Sequence, residues 1–164
     1  MTNQLKFCVD PGVSSLAWAL GYNGVLRACG YYHLSKSLAE AAQQAAQLVH
    51  NYITKTGYER GTTSYLLVER PMFEKDRAIN HQDVLNLSVI AGACVGAWSP
   101  NVFVEPMKWK GSVPKEQHQP RITGTLSHAE TLVYTSMRTG KKEIDHNIVD
   151  AIGILLWAER RLKR

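Results

Sequence analysis

Short apolar runs open the chain. Leu5 to Asp10 (LKFCVD) has the length of a strand, Ser15 to Gly21 (SLAWALG) forms a second run, and Val25 to Leu34 (VLRACGYYHL) a third. Asn23-Gly24, between the last two, is a strong hairpin signal, so three antiparallel strands are predicted in a row. The period then changes. Ser37-Leu38-Ala39-Glu40 reads as a capping box. Behind it Leu38, Ala41, Ala42, Ala45, Leu48, Val49, Tyr52 and Ile53 recur at helical spacing, which predicts a helix ending near Gly57.

Ser64 to Glu69 (SYLLVE) is a short apolar run bounded by turns and is predicted as a central strand. A helix precedes it, so it is expected parallel to the first strand. His81 to Trp98 predicts a second helix, with Val84, Leu87, Ala91, Cys94 and Val95 on one face and many small residues around them. Asn101 to Glu105 predicts a fifth strand, and Pro106 to Gln119 reads as a basic, irregular connection. Ser127-His128-Ala129-Glu130 is a further capping box, opening a helix to about Arg138. Gly140 to Ile144 reads as a turn. His146 to Leu162 reads as the last helix, its basic end (Arg160, Arg161, Lys163, Arg164) suiting the helix dipole. The order βββαβαβαα predicts an α/β fold, a mixed five-stranded sheet flanked by helices, within one domain over 1–164.

Composition narrows the class. The chain has 164 residues and is 45% hydrophobic, enough for a proper core. Lys plus Arg outnumber Asp plus Glu by 19 to 14, giving a net charge of +5. That balance favours an anionic partner such as nucleic acid. Cys8, Cys29 and Cys94 lack metal-site spacing, which points to a reducing compartment. The N-terminus carries no signal pattern, and no run approaches the ~18 apolar residues that suggest a membrane span. A cytoplasmic protein with no membrane partner is expected.

Three acids stand where rigid elements end. Asp10 closes the first strand before Pro11-Gly12, and Glu69 closes the central strand before Arg70-Pro71. Asp150 lies in the apolar stretch DHNIVDAIGILLWA. Each has a plain alternative. Asp-Pro-Gly is a common turn. A buried Glu69 costs several kcal/mol unless it is paired, with Arg70 or another base, or bound to metal. Asp150 could sit on a solvated helix face. Together, three converging carboxylates repel one another unless a hard cation lies between them. At about 100° per residue, His146 falls roughly 40° from Asp150 on the helical wheel and Asn147 about 60° away. Asp145 has an alternative as the helix N-cap.

These segments carry a resemblance. FCVDPGVSSLAWAL, LLVERPMF and DHNIVDAIGILLWA are similar to the three acidic motifs of RuvC-type Holliday junction resolvases, of the RNase H-like superfamily, in their compact phage-type form. NHQDVLNLSVIAGACVGAW resembles the small-residue helix that follows the second motif. The similarity runs in order over nearly the whole chain.

The resemblance implies an RNase H-like fold and a structure-selective endonuclease acting on four-way or other branched DNA. It implies cleavage by two Mg²⁺ or Mn²⁺ ions per site, leaving 5′-phosphate and 3′-hydroxyl ends in a bacterial cell or phage-infected host. Asp10, Glu69 and Asp150 carry over as catalytic metal ligands. A fourth ligand is expected a few positions before Asp150, where the sequence offers Asp145, His146 and Asn147. Helical geometry favours His146, which is also suited to moving protons. Expected DNA contacts are Lys108, Lys110, Lys115 and Arg121 for phosphate, with Trp109 stacking on a base. Phe73 resembles the family's aromatic wedge, with Arg70, Lys75 and Arg77 near it, and Lys141 and Lys142 could reach backbone. The family cuts as a homodimer, and the Val84 to Trp98 helix is the candidate contact. Competing readings keep the fold but cut flaps, forks or RNA–DNA hybrids, or bind branched DNA without cutting it. A sugar-kinase-like relative lacks a second phosphate loop and enough length.

Overall fold

The computed structural model describes residues 3–57, 62–72 and 80–162. Five strands form one sheet: β1 (Asn3–Pro11), β2 (Ser15–Tyr22), β3 (Val25–His33), β4 (Thr62–Glu69) and β5 (Asn101–Val104). Their spatial order is β3-β2-β1-β4-β5. β1, β2 and β3 run antiparallel in succession, and β2 turns into β3 at Asn23-Gly24, where both residues take positive φ, 49° and 81°. β4 lies parallel to β1, and β5 parallel to β4, as the crossovers require.

Helices cover both faces. α1 (Leu38–Gly57) and α2 (His81–Gly96) pack on one, against Leu5, Phe7 and Val9 of β1 and Leu66 and Val68 of β4. α3 (Pro106–Trp109), α4 (Lys115–Thr123), α5 (His128–Met137) and α6 (Lys142–Ala158) gather on the other, over Cys8, Ala17, Ala19 and Leu67. β1 alternates between these two cores, so it is buried on both faces, as a central strand is. The mixed α/β architecture and strand count match expectation. Cys8, Cys29 and Cys94 are buried and free, and burial pushes the Cys29 and Cys94 thiols up to about 12. Among the described residues no helix is long and apolar enough to cross a membrane.

Several local expectations change. Pro106 to Gln119 is not irregular: it holds α3 and the start of α4. Pro120 lies inside α4. The last helix opens at Lys142, so the expected turn over Gly140 to Ile144 is largely helical, and it ends at Ala158. The Ser127 capping box is present in both directions. Near α1, Ser35 relays instead: the Ser37 amide donates to Ser35 Oγ, whose hydroxyl donates to Glu40 Oε2.

Candidate active site

Strand register sets the first two acids. Val9 pairs with Val68, so the next residues, Asp10 and Glu69, end neighbouring parallel strands on the same face of the sheet. That face, marked by Cys8 and Leu67 one position inward on each alternation, is the one α6 covers. α6 is buried nearly all round, and Asp150 interrupts its apolar surface as a half-buried carboxylate. The three motif acids therefore approach one another from β1, β4 and α6.

A lysine lies among them. Lys110 Nζ is 3.2 Å from Glu69 Oε1 and 3.2 Å from Asp150 Oδ2. Burial opposes its charge, but the carboxylates of Glu69, Asp150 and Asp10 outweigh burial and raise its pKa above the ordinary lysine value. Glu69 is raised as well, chiefly by burial, with Lys110 and the Trp109 hydrogen bond acting against the shift and Asp150 adding to it. The Trp109 indole N–H donates to Glu69 Oε2 at 2.9 Å, and the Lys110 ammonium lies 4.6 Å from the Trp109 ring centre. Asp10, Glu69 and Lys110 line an open cleft of about 190 Å³ with Arg70, Pro71, Met72 and Leu87.

Trp109 reaches Glu69 because of a glycine across the fold. A Cβ on Gly153 of α6 would collide with the Trp109 ring and with Ile122 of α4. The absent side chain leaves the space into which the indole packs, only 2% exposed. Behind it, His118 is buried, its ring 4.9 Å from that of Trp109, and its pKa is lowered to about 4 by burial against the opposing pull of Asp150. Arg121 donates to the Trp109 carbonyl at 3.2 Å and lies 3.2 Å from His118 Nδ1.

Three residues expected to contact DNA are engaged within the protein. Trp109 is buried, with its N–H committed to Glu69, and has no face free for a base. Lys110 points into the carboxylates, not toward solvent. Arg121 turns inward to brace α3 against α4. Arg70 and Lys108 are exposed at the cleft and share Glu105, at 3.7 and 3.8 Å. Lys141 and Lys142 are exposed at the start of α6. Phe73, Lys75 and Arg77 lie outside the described residues, as does the Lys115 side chain.

The candidates for a fourth ligand separate. Asp145 is not the N-cap, since Lys141 holds that position. Its Oδ1 accepts from the Thr139 amide at 2.8 Å and the Thr139 hydroxyl at 3.0 Å, and Arg138 Nε lies 3.6 Å from Oδ2. Burial pushes its carboxyl up, but those donors prevail and hold it below its ordinary value. His146 and Asn147 are half-buried on α6, one turn before Asp150. Among the described residues, no three His, Cys, Asp or Glu side chains stand close enough to hold a metal ion together. Glu69 and Asp150 instead bracket the Lys110 ammonium. The donor set nevertheless suits a hard divalent cation: carboxylate oxygens, in excess of the one ammonium among them, already bracketing a cation.

Sequence reasoning did not find Lys110 as a partner of the acids, nor Trp109 and Gly153 as their supports. The one signal was that a buried Glu69 calls for pairing with Arg70 or another base.

No family model and no curated protein matches the sequence. Solved structures do. The chain is similar to T. thermophilus RuvC in complex with a Holliday junction substrate, with TM-score 0.65 and 16% identity over 95% of this chain and 93% of that one. It is also similar to a second Thermus thermophilus RuvC structure, with TM-score 0.61 and 17% identity over 94% and 93%. The fold is therefore the RNase H-like fold of RuvC.

Proposed function

We propose that the protein is a divalent-metal-dependent endonuclease that resolves four-way or other branched DNA. The observation that carries this reading is the Lys110 ammonium, bracketed by Glu69 and Asp150 at 3.2 Å each and favoured by the charge of Asp10, beside an open cleft. The RuvC fold supports it, since one similar structure holds a Holliday junction. It is a phage-type resolvase in this reading.

Asp10, Glu69 and Asp150 would hold Mg²⁺ or Mn²⁺, two ions per site, with His146, one helical turn before Asp150 on α6, as the fourth ligand. When bound, such ions activate water for in-line attack and neutralise charge at the phosphate, leaving 5′-phosphate and 3′-hydroxyl ends. The chain supplies the geometry. The ends of β1 and β4 fix two carboxylates side by side, and Trp109 holds Glu69 in one rotamer through its indole N–H. His146, one turn before Asp150 on α6, would exchange a proton. Arg70 and Lys108, exposed beside the cleft, take backbone phosphates.

Paired cuts on two strands call for two copies of the site. Leu85, Val89, Gly92 and Gly96 follow one stripe of α2 at spacings of four, three and four. Leu85 and Val89 are exposed, and a Cβ on either glycine would meet nothing. This stripe suits close approach by the same helix of a second copy.

The test sets a four-way junction, a 5′ flap and a linear duplex against Mg²⁺, Mn²⁺ or EDTA. Junction cleavage with metal, none in EDTA, and an Asp10→Asn variant that binds junctions uncut are expected. Cleavage by that variant at wild-type rate would refute the site. Cutting of flaps alone would replace the substrate and keep the nuclease.

A further inference from the structure

Lys110 is the last-turn neighbour of a four-residue helix, and its ammonium is shared between acids that come from other elements. Its distances, 3.2 Å to Glu69 and 3.2 Å to Asp150, place it where a cation bridging those two carboxylates would lie. A divalent ion bound by the same oxygens at about 2 to 2.6 Å could not share that space with an ammonium. Two like charges at such separation also repel strongly. The residues around Lys110 permit departure. Gly111 follows with φ 64°, and a Cβ there would meet nothing within 4 Å. The side chain has a flexible four-carbon stem, and the cleft beside it is open.

We infer that the Lys110 ammonium is the resident cation of this site in the metal-free protein, and that a divalent ion enters only as Lys110 swings out. The inference rests on the metal-site reading above and adds a competition within it. The lysine screens Asp10, Glu69 and Asp150 from one another before metal arrives. It also lowers the apparent metal affinity, because every binding event breaks two ion pairs. Once displaced, its charge emerges at the cleft mouth near Arg70, where a DNA phosphate can take it up.

Two measurements test this. In calorimetric titration, Lys110→Met is expected to bind Mn²⁺ about tenfold more tightly than wild type, a change that requires about 1.4 kcal/mol. Lys110→Arg should keep near wild-type affinity. The second uses the unmodified chain: lysine acetylation followed by mass spectrometry, with and without saturating Mg²⁺. Lys110 should be protected without metal and become several-fold more reactive with it, while exposed Lys108 stays unchanged. Equal or weaker Mn²⁺ binding by Lys110→Met, or Lys110 reactivity that ignores Mg²⁺, would overturn the competition. In that case Mn²⁺ binding that Glu69→Gln abolishes would leave the metal site standing. If no variant and no wild-type protein binds Mn²⁺, the metal-site reading falls with the inference.

Discussion

Around Glu130 every carboxylate oxygen has directed donors, whereas around Lys110 several carboxylates share one ammonium. Arg161 grips Glu130 through both oxygens at 2.6 and 2.7 Å, and the amides of Leu26 and Ser127 complete the set at 2.8 Å each. Arg161, expected to be a dipole-compensating tail residue, instead ties α5, the β2–β3 hairpin and the end of α6 together. Arg161's hydrogen bonds outweigh burial and hold Glu130 down at about 2, while burial raises Glu69. A satisfied ion pair serves the fold. An acid-rich cluster around one shared ammonium keeps a repulsion that a stronger cation can relieve.

The largest effect expected from this contrast is in catalysis. Glu69→Gln should reduce junction cleavage by roughly a thousandfold, the order seen when one catalytic group is removed. Its melting temperature in EDTA should equal or exceed that of wild type, because a buried, repelled charge has gone. Glu130→Gln should do the reverse, lowering the melting temperature while cleavage per folded molecule stays within about twofold. Cleavage assays beside thermal melts read both. A Glu69→Gln protein that melts well below wild type in EDTA would break the comparison, since the acid would then be structural.

The acids themselves were legible because strand ends and apolar helices declare themselves locally. β1 shows its apolar run, and Asp10 ends it; Asp150 stands alone in an apolar helix. Their convergence followed from one parallel crossover. What surrounds them was not legible. Trp109 looks like a free aromatic among lysines, and only the missing side chain of Gly153, 44 positions later, makes it a core residue. α4 hides because Pro120 argues against a helix, and its buried Ile122 and His118 face α6 in space and not a neighbour in sequence. Asp145 read as an N-cap because the helix start was placed four residues late. Its partner, Thr139, lies in the loop before the helix.

Next in size is the fold-stabilising pair itself. Glu130→Ala, which leaves Arg161 without its partner, should destabilise the protein by about 3–5 kcal/mol in urea. The pH dependence follows. Glu130 is held below its unfolded value of 4.5, so its stabilisation is present above pH 4.5 and is lost as pH falls toward about 2. Glu69 has the opposite sign: raised by burial, it favours the folded state at low pH and costs stability as pH climbs above 4.5 in EDTA. Urea melts across this range should lose the acid limb in Glu130→Gln and the decline above pH 4.5 in Glu69→Gln. If both variants keep both limbs, neither acid controls the pH response.

Two glycines in helices sharpen the comparison further, because only one of them touches the site. Gly153→Ala would drive a methyl into Trp109 and Ile122, at about 1–3 kcal/mol of overpacking. Displacing the indole also removes the donor on Glu69, so cleavage should fall along with stability. A variant that loses stability and keeps wild-type turnover would show that Trp109 packs without positioning Glu69.

Gly92→Ala makes the smallest change and the cleanest one. Gly92 is exposed on α2, and a methyl there meets nothing. In an isolated chain the substitution should stabilise by about 0.5–1 kcal/mol, since alanine loses less freedom than glycine in a helix. The proposed dimer reverses that sign. Where Leu85, Val89, Gly92 and Gly96 meet their copies, a methyl holds the helices apart and weakens association. Sedimentation and melts over a range of protein concentration separate the cases. A gain in stability that grows on dilution, as the dimer dissociates, places Gly92 in the contact. The same gain at every concentration places it on open surface and moves the two-fold contact elsewhere.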